Sequence, residues 1–334
     1  MRELGRDLDS LAVASRFAGV VRIDEGDDVV FARAYGLANR SGQIANTLDT
    51  RFGTASGTKG FTALTIASLA EDGVLELGTT ARAVLRDDLE LIGDDVTVEH
   101  LLAHRSGIGD YLDEEDELDF RDYLMPVPVH ELATSEEYIR ALAGRPAKFP
   151  AGERFSYCNS GFVVLAIIAE RVTGVAFHEL VLRRVCDPMG LRDTAFLRSD
   201  ELPERTAVGY LDGDGLRTNV FHLPVRGSGD GGIYTTVDDI ARFWRALFEG
   251  AVVPIARVAE LVRPRSQTAS TMPGYGLGFW LDPDAGMVLL VGSDAGVSFA
   301  TLHVPGRALT ATVIANTTDG AWPLARLLRE RLSQ

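Results

Sequence analysis

The apolar residues Leu8, Leu11, Ala12 and Phe17 recur at helical spacing over residues 5–17 and predict an amphipathic helix. The pattern then shortens. "GVVRI" (19–23) and "VVFARAYG" (29–36) have strand length and composition, and the polar "DEGDD" between them predicts a hairpin. From about residue 54 to 220 the periodicity is mainly helical, in "GFTALTIASLAEDG", "VEHLLAHRSG", "SEEYIRALAG" and "SGFVVLAIIAERVTG". Glycine at the end of such segments marks helix C-termini. The acidic stretch "DYLDEEDELDFRDYLMPVPVHEL", with two prolines, predicts a long exposed loop with short helical turns. "DDIARFWRALFEG" predicts one more helix. Four β-rich runs follow, "GLGFWL", "GMVLLVG", "SFATLHV" and "LTATVIANT", and then a final amphipathic helix, "LARLLRERLSQ".

Strands at both ends and helices between them imply one sheet built from two distant parts of the chain. The expected fold is α/β in the broad (α+β) sense: an antiparallel sheet of about five strands, flanked by the terminal helices. Residues of about 1–55 and 225–334 would form the sheet part, and about 56–224 an inserted, mainly helical part. A length of 334 residues with 46% hydrophobic content supplies ample core for such a unit.

A formal net charge of −15 repels nucleic acid and anionic membranes, so neither is expected as a partner. The two cysteines, Cys158 and Cys186, have no zinc-type spacing and read as free thiols. The N-terminal "MRELGRDLDSLAVASRF" lacks the apolar stretch of a signal peptide, and no run of about 18 uncharged apolar residues occurs. The expectation is a cytoplasmic protein, although a mature form of an exported one fits the same residues. Oligomeric state is left open.

Candidate chemistry begins with a compositional oddity. The chain contains two lysines, Lys59 and Lys148, and its other cationic side chains are arginine or histidine. Lys59 follows Ser56 by three residues, in "GTASGTKGFTAL", at the start of a helix that is apolar nearly all round. Residues three apart share a helix face, so hydroxyl and amine can meet. A desolvated lysine can give up its proton and an arginine cannot. A capping serine beside a solvated lysine is the plain alternative. The buried helix argues against it and favours a Ser–Lys pair whose helix N-terminal amides can hold an oxyanion. "SYCNSGF" (156–162) adds Tyr157, whose ionised form a neighbouring ammonium would favour, and Asn159, which can accept from Lys59 and donate to a substrate carbonyl. Cys158 between them reads as structural. His104, in "LLAHRSG", reads as a helix-end residue making local hydrogen bonds. The acidic 110–122 run reads as a solvated loop that could overlie the site mouth.

Ser-x-x-Lys followed about 100 residues later by Tyr-x-Asn resembles the class C β-lactamase, penicillin-binding-protein and related esterase group of serine hydrolases. "DTRFGTASGTKGFTALTIASLAEDGVLEL", "VTVEHLLAHRSGIGDY", "GDGGIYTTVDDIARF" and "GYGLGF" are similar to further segments of that group, so the resemblance covers most of the chain. It implies Ser56 as nucleophile, Lys59 and Tyr157 as the acid/base pair, and Asn159 as a Lys-orienting and substrate-binding residue, without metal or cofactor. The group's third element is a Lys-, His- or Trp-led triplet on the strand beside the nucleophile, usually ending in Gly. The expected match is Ser293, Asp294 and Ala295 in "VGSDAGVSF", with the N–H of Gly296, or of Ala295, as second oxyanion donor. A serine leading that triplet brings no positive charge for a penicillin carboxylate. The expectation is therefore hydrolysis of a small-molecule ester, amide or β-lactam through a Ser56 acyl-enzyme. The alternative is a penicillin-binding or pseudoenzyme module that acylates slowly or not at all. No Gly-x-Ser-x-Gly elbow occurs, which counts against an α/β-hydrolase.

Overall fold

Strands from the two ends of the chain meet in one antiparallel sheet. The computed structural model describes residues 2–115, 119–268 and 272–332. The sheet holds β1 (Gly19–Glu25), β2 (Asp28–Tyr35), β3 (Ser266–Gln267), β4 (Gly274–Tyr275), β5 (Trp280–Asp282), β6 (Met287–Asp294), β7 (Val297–Val304) and β8 (Leu309–Ala315), in the order β2-β1-β8-β7-β6-β5-β4-β3. Five of these strands match the expected runs. The other three, β3 to β5, are two or three residues long, too short for alternation to register. "GLGFWL" is only partly strand because Gly278, at φ +87°, turns the chain against the helix that follows Ser56.

Both faces of the sheet are covered, which explains why its central strands are apolar without clean alternation. Val21, Leu289 and Val313 pack beneath α1 (Arg2–Ala14) and the C-terminal helix Trp322–Leu332. Their neighbours Val20, Leu290 and Ile314 face the opposite way, into the larger core of the helical layer. That layer is built on α2 (Thr58–Glu71) and α3 (Asn159–Thr173), with α4 (Val237–Glu249) nearer the sheet. α4 is strongly two-faced and sends Trp244 Nε1 to Thr301 Oγ1 of β7 at 2.9 Å. α3 is buried from Asn159 through Ala169 and stops at Gly174, in the left-handed conformation that glycine adopts without penalty. Helix content in 98–142 is lower than expected: Val98–Leu102 is five residues, and "SEEYIRALAG" forms a 3₁₀ turn, Ser135–Tyr138, running into the single turn Ile139–Leu142. Among the described residues, no single helix is long and apolar enough to cross a membrane.

Candidate active site

Ser56 is held at a tight corner. The short strand Phe52–Gly53 pairs with Tyr234–Thr235, and a 3₁₀ turn, Ala55–Gly57, feeds directly into α2. Ala55 has φ +45°, an unfavourable conformation for a residue with a Cβ. Buried bonds fix the corner: Thr54 N–H donates to Ile233 O at 2.9 Å, and Thr58 Oγ1 donates to Ala55 O at 2.8 Å. Ser56 itself is partly accessible, while every residue from Gly57 to Ala67 is buried.

Lys59 is 2% exposed, and its Nζ lies 2.8 Å from Ser56 Oγ, Asn159 Oδ1 and Asp230 O. As an ammonium Lys59 donates to all three; as a neutral amine it keeps donors for Asn159 Oδ1 and Asp230 O and turns its lone pair to the Ser56 hydroxyl. Burial pulls the ammonium pKa below its ordinary value, against the opposing pull of Asp230, Glu114 and Asp110. Tyr157, half-buried, has the Ser56 hydroxyl beside its phenol, and its ring lies 4.8 Å from Lys59 Nζ. Its pKa moves opposite to the expectation. Burial, reinforced by Glu114, pushes the phenol well above 10, so it rests protonated and the amine is the better-placed base.

Asn159 meets Lys59 as expected but has no donor left for a substrate. Its Nδ2 donates to Leu112 O at 2.9 Å and to Glu114 Oε1 at 3.2 Å. Both acceptors come from the acidic loop, whose first residues are folded into the site rather than solvated. Asp110 accepts from Asn159 N at 2.6 Å and Ser160 N at 2.9 Å, capping α3 from outside its own segment. Tyr111 hydroxyl donates to Asp230 Oδ2. Lys148 lies 2.5 Å from Asp113 and 3.4 Å from Glu115 on the same loop.

His104 does more than end a helix. It is fully buried at φ +53°, its carbonyl accepts from Ser156 N at 2.9 Å, and its Nδ1 accepts from Cys158 N at 3.0 Å. The ring lies 4.2 Å from that of Tyr157, which also stacks on Trp280 at 5.8 Å. Accepting at Nδ1 places the proton on Nε2, and burial keeps the imidazole neutral. Cys158 is buried with its thiol pKa pushed up by desolvation, and Cys186 is a second buried free thiol pushed up to about 12.

The third element sits three residues upstream of its expected place. β6 passes the nucleophile at Gly292, where a Cβ would stand 1.9 Å from Thr54 O and 2.9 Å from Ser56 N. Glycine is required there by close backbone approach. The Gly-ended triplet beside Ser56 is therefore Leu290-Val291-Gly292, led by a residue that is 2% exposed and uncharged. Ser293, Asp294, Ala295 and Gly296 are the strand end and turn beyond it. Asp294 pairs with Val297, so Ala295 and Gly296 form a two-residue hairpin loop. Their amides are engaged: Ala295 N–H donates to Asp294 Oδ1 at 2.8 Å, and Gly296 N–H to Thr318 Oγ1 at 3.0 Å. Neither is free to hold an oxyanion. Turn register, which no periodicity reveals, caused the slip. Asp110, Glu114, Lys148 and Asp230 were also not singled out as site residues, although the rarity of lysine pointed at Lys148.

A hydroxyl paired with a buried amine at the head of a core helix, between a sheet edge and a helical layer, defines a serine-nucleophile site of the Ser-x-x-Lys class. The sequence model for the family described as beta-lactamase matches residues 9–334, and the chain belongs to that family. It is 30% identical over 307 residues to esterase EstB of Burkholderia gladioli, covering 79% of this chain and 75% of that one. It is 26% identical over 301 residues to penicillin-binding protein 4* of Bacillus subtilis (strain 168), covering 84% of this chain and 64% of the relative. The crystal structure of a penicillin-binding protein from Bacillus halodurans superposes with a TM-score of 0.90 at 33% identity, over 97% of this chain and 99% of that one.

Proposed function

We propose that this chain is a serine hydrolase that opens ester or amide bonds through an acyl-enzyme on Ser56. One observation carries the reading: Lys59 Nζ, 2% exposed as a residue, stands 2.8 Å from Ser56 Oγ with its pKa lowered. Family membership and the similarity to an esterase support it. As Ser56 Oγ attacks the carbonyl carbon, its proton passes to Lys59 Nζ, and the carbonyl π electrons move to oxygen. Asn159 Oδ1 and Asp230 O then stabilise the ammonium that forms. Tyr157, protonated at rest and beside Ser56, is placed to hand a proton to the leaving group, with Lys59 restoring it. Water then cleaves the acyl ester by the same transfers in reverse.

The oxyanion needs two donors. Ser56 N–H lies in the 3₁₀ turn that leads into α2, where amides lack intrahelical partners. The second is the N–H of Ser293. In a two-residue hairpin the closing pair, Asp294 and Val297, exchange hydrogen bonds, so the next pair inward, Ser293 and Ser298, turn their amides away from each other. Ser293 thus directs its N–H to the open edge of β6, one residue beyond the contact of Gly292 with Ser56. Ser293 serves through its backbone.

An uncharged Leu290 where relatives of the group carry a cation or aromatic favours ester and amide substrates without a carboxylate over penicillins. Steady-state hydrolysis of p-nitrophenyl butyrate and of a chromogenic cephalosporin, with intact mass followed in parallel, tests this. Turnover of the ester, slow or absent turnover of the cephalosporin, and loss of both in Ser56→Ala are expected. A stable cephalosporin adduct with no ester turnover would instead identify a penicillin-binding module.

A further inference from the structure

We infer that the acyl pocket of this site takes an acyl group bearing a protonated amine, seated between Asp230 and Asp294. The inference rests on the hydrolase reading and names its substrate class. A cavity of about 60 Å³ adjoins the nucleophile, with Ala55 and Gly231 on its near side. Leu197, Leu223 and Val297 give it apolar walls, and Asp230 and Asp294 are its charged groups. Among the described residues, none that lines it is cationic.

Placement of Asp294 follows from strand geometry rather than from the charge count. Side chains two apart on a strand share a face, so Asp294 projects on the face that Gly292 presents to Ser56. Its hairpin partner Val297 confirms that face, because Val297 Cγ2 would lie 3.4 Å from a Cβ on Gly53, on the segment leading to the nucleophile. One oxygen of Asp294 accepts from Ala295 N at 2.8 Å, and among the described residues the other has no hydrogen-bond or ion-pair partner. Asp230 is 7% exposed, and among the described residues the side-chain partner of its carboxylate is Tyr111, at Oδ2. Lys59, the nearest cation, spends its three donors on Ser56, Asn159 and the Asp230 carbonyl. Two carboxylates thus face one small pocket whose nearest counter-charge, Lys59, has its donors spent elsewhere, and a ligand ammonium stabilises that arrangement. Burial pushes the Asp294 carboxyl up to about 7, with Asp230 and Glu114 adding to the effect. An ammonium with donors for both carboxylates, on a short apolar stem, matches this lining, and a substrate carboxylate is repelled by it.

The test uses a matched pair: the p-nitrophenyl esters of β-alanine and of butyric acid, which differ by an ammonium in place of a terminal methyl. At neutral pH the full-length enzyme is expected to prefer the β-alanyl ester in kcat/KM by about ten-fold or more, as a charge-assisted contact provides. In Asp294→Asn, which keeps side-chain shape, that ratio is expected to fall toward one. Equal kcat/KM for the two esters in the unsubstituted enzyme, or an unchanged ratio in Asp294→Asn, would overturn the inference while Ser56-dependent turnover of butyrate left the hydrolase reading standing. Failure to turn over either ester, with no adduct on Ser56, would remove the hydrolase reading and this inference together.

Discussion

Lys148 Nζ lies 2.5 Å from Asp113 Oδ2, and through that contact the second lysine of the chain serves the same site as the first. Lys59 meets Asn159 at its Oδ1, while the loop that Lys148 pins meets Asn159 at its Nδ2. The Lys148 side chain is 20% exposed and also reaches Glu115, so this is a partly desolvated network and not a lone surface pair. Lys148→Met is expected to lower stability by about 1 kcal/mol and to reduce kcat/KM several-fold by loosening the loop around Asn159. Urea unfolding and ester kinetics on the same preparation check both.

Tyr157 owes its position to His104. The imidazole and carbonyl of His104 receive the amides on either side of Tyr157, and the ring packs on its face. His104→Phe keeps the ring and loses the acceptor, leaving the buried Cys158 N–H unsatisfied, a cost of about 1–3 kcal/mol. It is expected to lower kcat about ten-fold or more with KM little changed. His104→Asn, which restores an acceptor, should recover part of the loss. A structural role confined to folding would lower stability in both variants without separating kcat from KM.

Gly292→Ala would place a methyl 1.9 Å from Thr54 O and 2.9 Å from Ser56 N, against backbone that cannot yield cheaply. Activity is expected to fall more than about 100-fold, as displacement of an oxyanion donor does, with a loss of stability of about 2 kcal/mol. Gly306→Ala meets nothing within 4 Å at ordinary φ and is the control that should change neither. Thermal melts and ester assays of the pair decide it.

Asp294 gives stability a pH signature. Its folded pKa is raised to about 7 from 3.8, so the folded state holds that proton more tightly than the unfolded chain does. The associated stability is present below about pH 4 and lost as pH rises through about 7. Asp294→Asn lacks this dependence. The stability of the variant relative to the parent is expected to climb between pH 4 and 7, by up to about 4 kcal/mol, and then level off. Denaturant melts across that range would show a flat difference if the carboxyl were ordinary.

Long periodic elements were legible in the sequence because burial dictates them. The N-terminal helix, the first hairpin, α2, α3 and the three long C-terminal strands all follow from apolar patterning. Ser56, Lys59, Tyr157 and Asn159 could be picked out because a buried helix carrying one rare lysine is chemically odd, and they do converge in space. What sequence reasoning missed depends on close approach and on desolvation. Gly292 is fixed by its distance to another backbone, the free edge of Ser293 by a turn two residues on, and the protonated state of Tyr157 by burial reinforced by Glu114. Glu114 and Asp110 looked like solvated charges because local composition carries no sign of Lys148 reaching their loop.

Labelling of Ser56 by a fluorophosphonate, followed by intact mass as a function of pH, tests the central claim most directly. The unsubstituted protein is expected to gain one adduct, absent in Ser56→Ala, at a rate that rises with pH as buried Lys59 loses its proton. Lys59→Arg, charged at every accessible pH, is expected to label about 1000-fold more slowly throughout. Labelling of Lys59→Arg at the parental rate, or an adduct on a residue other than Ser56, would contradict the account.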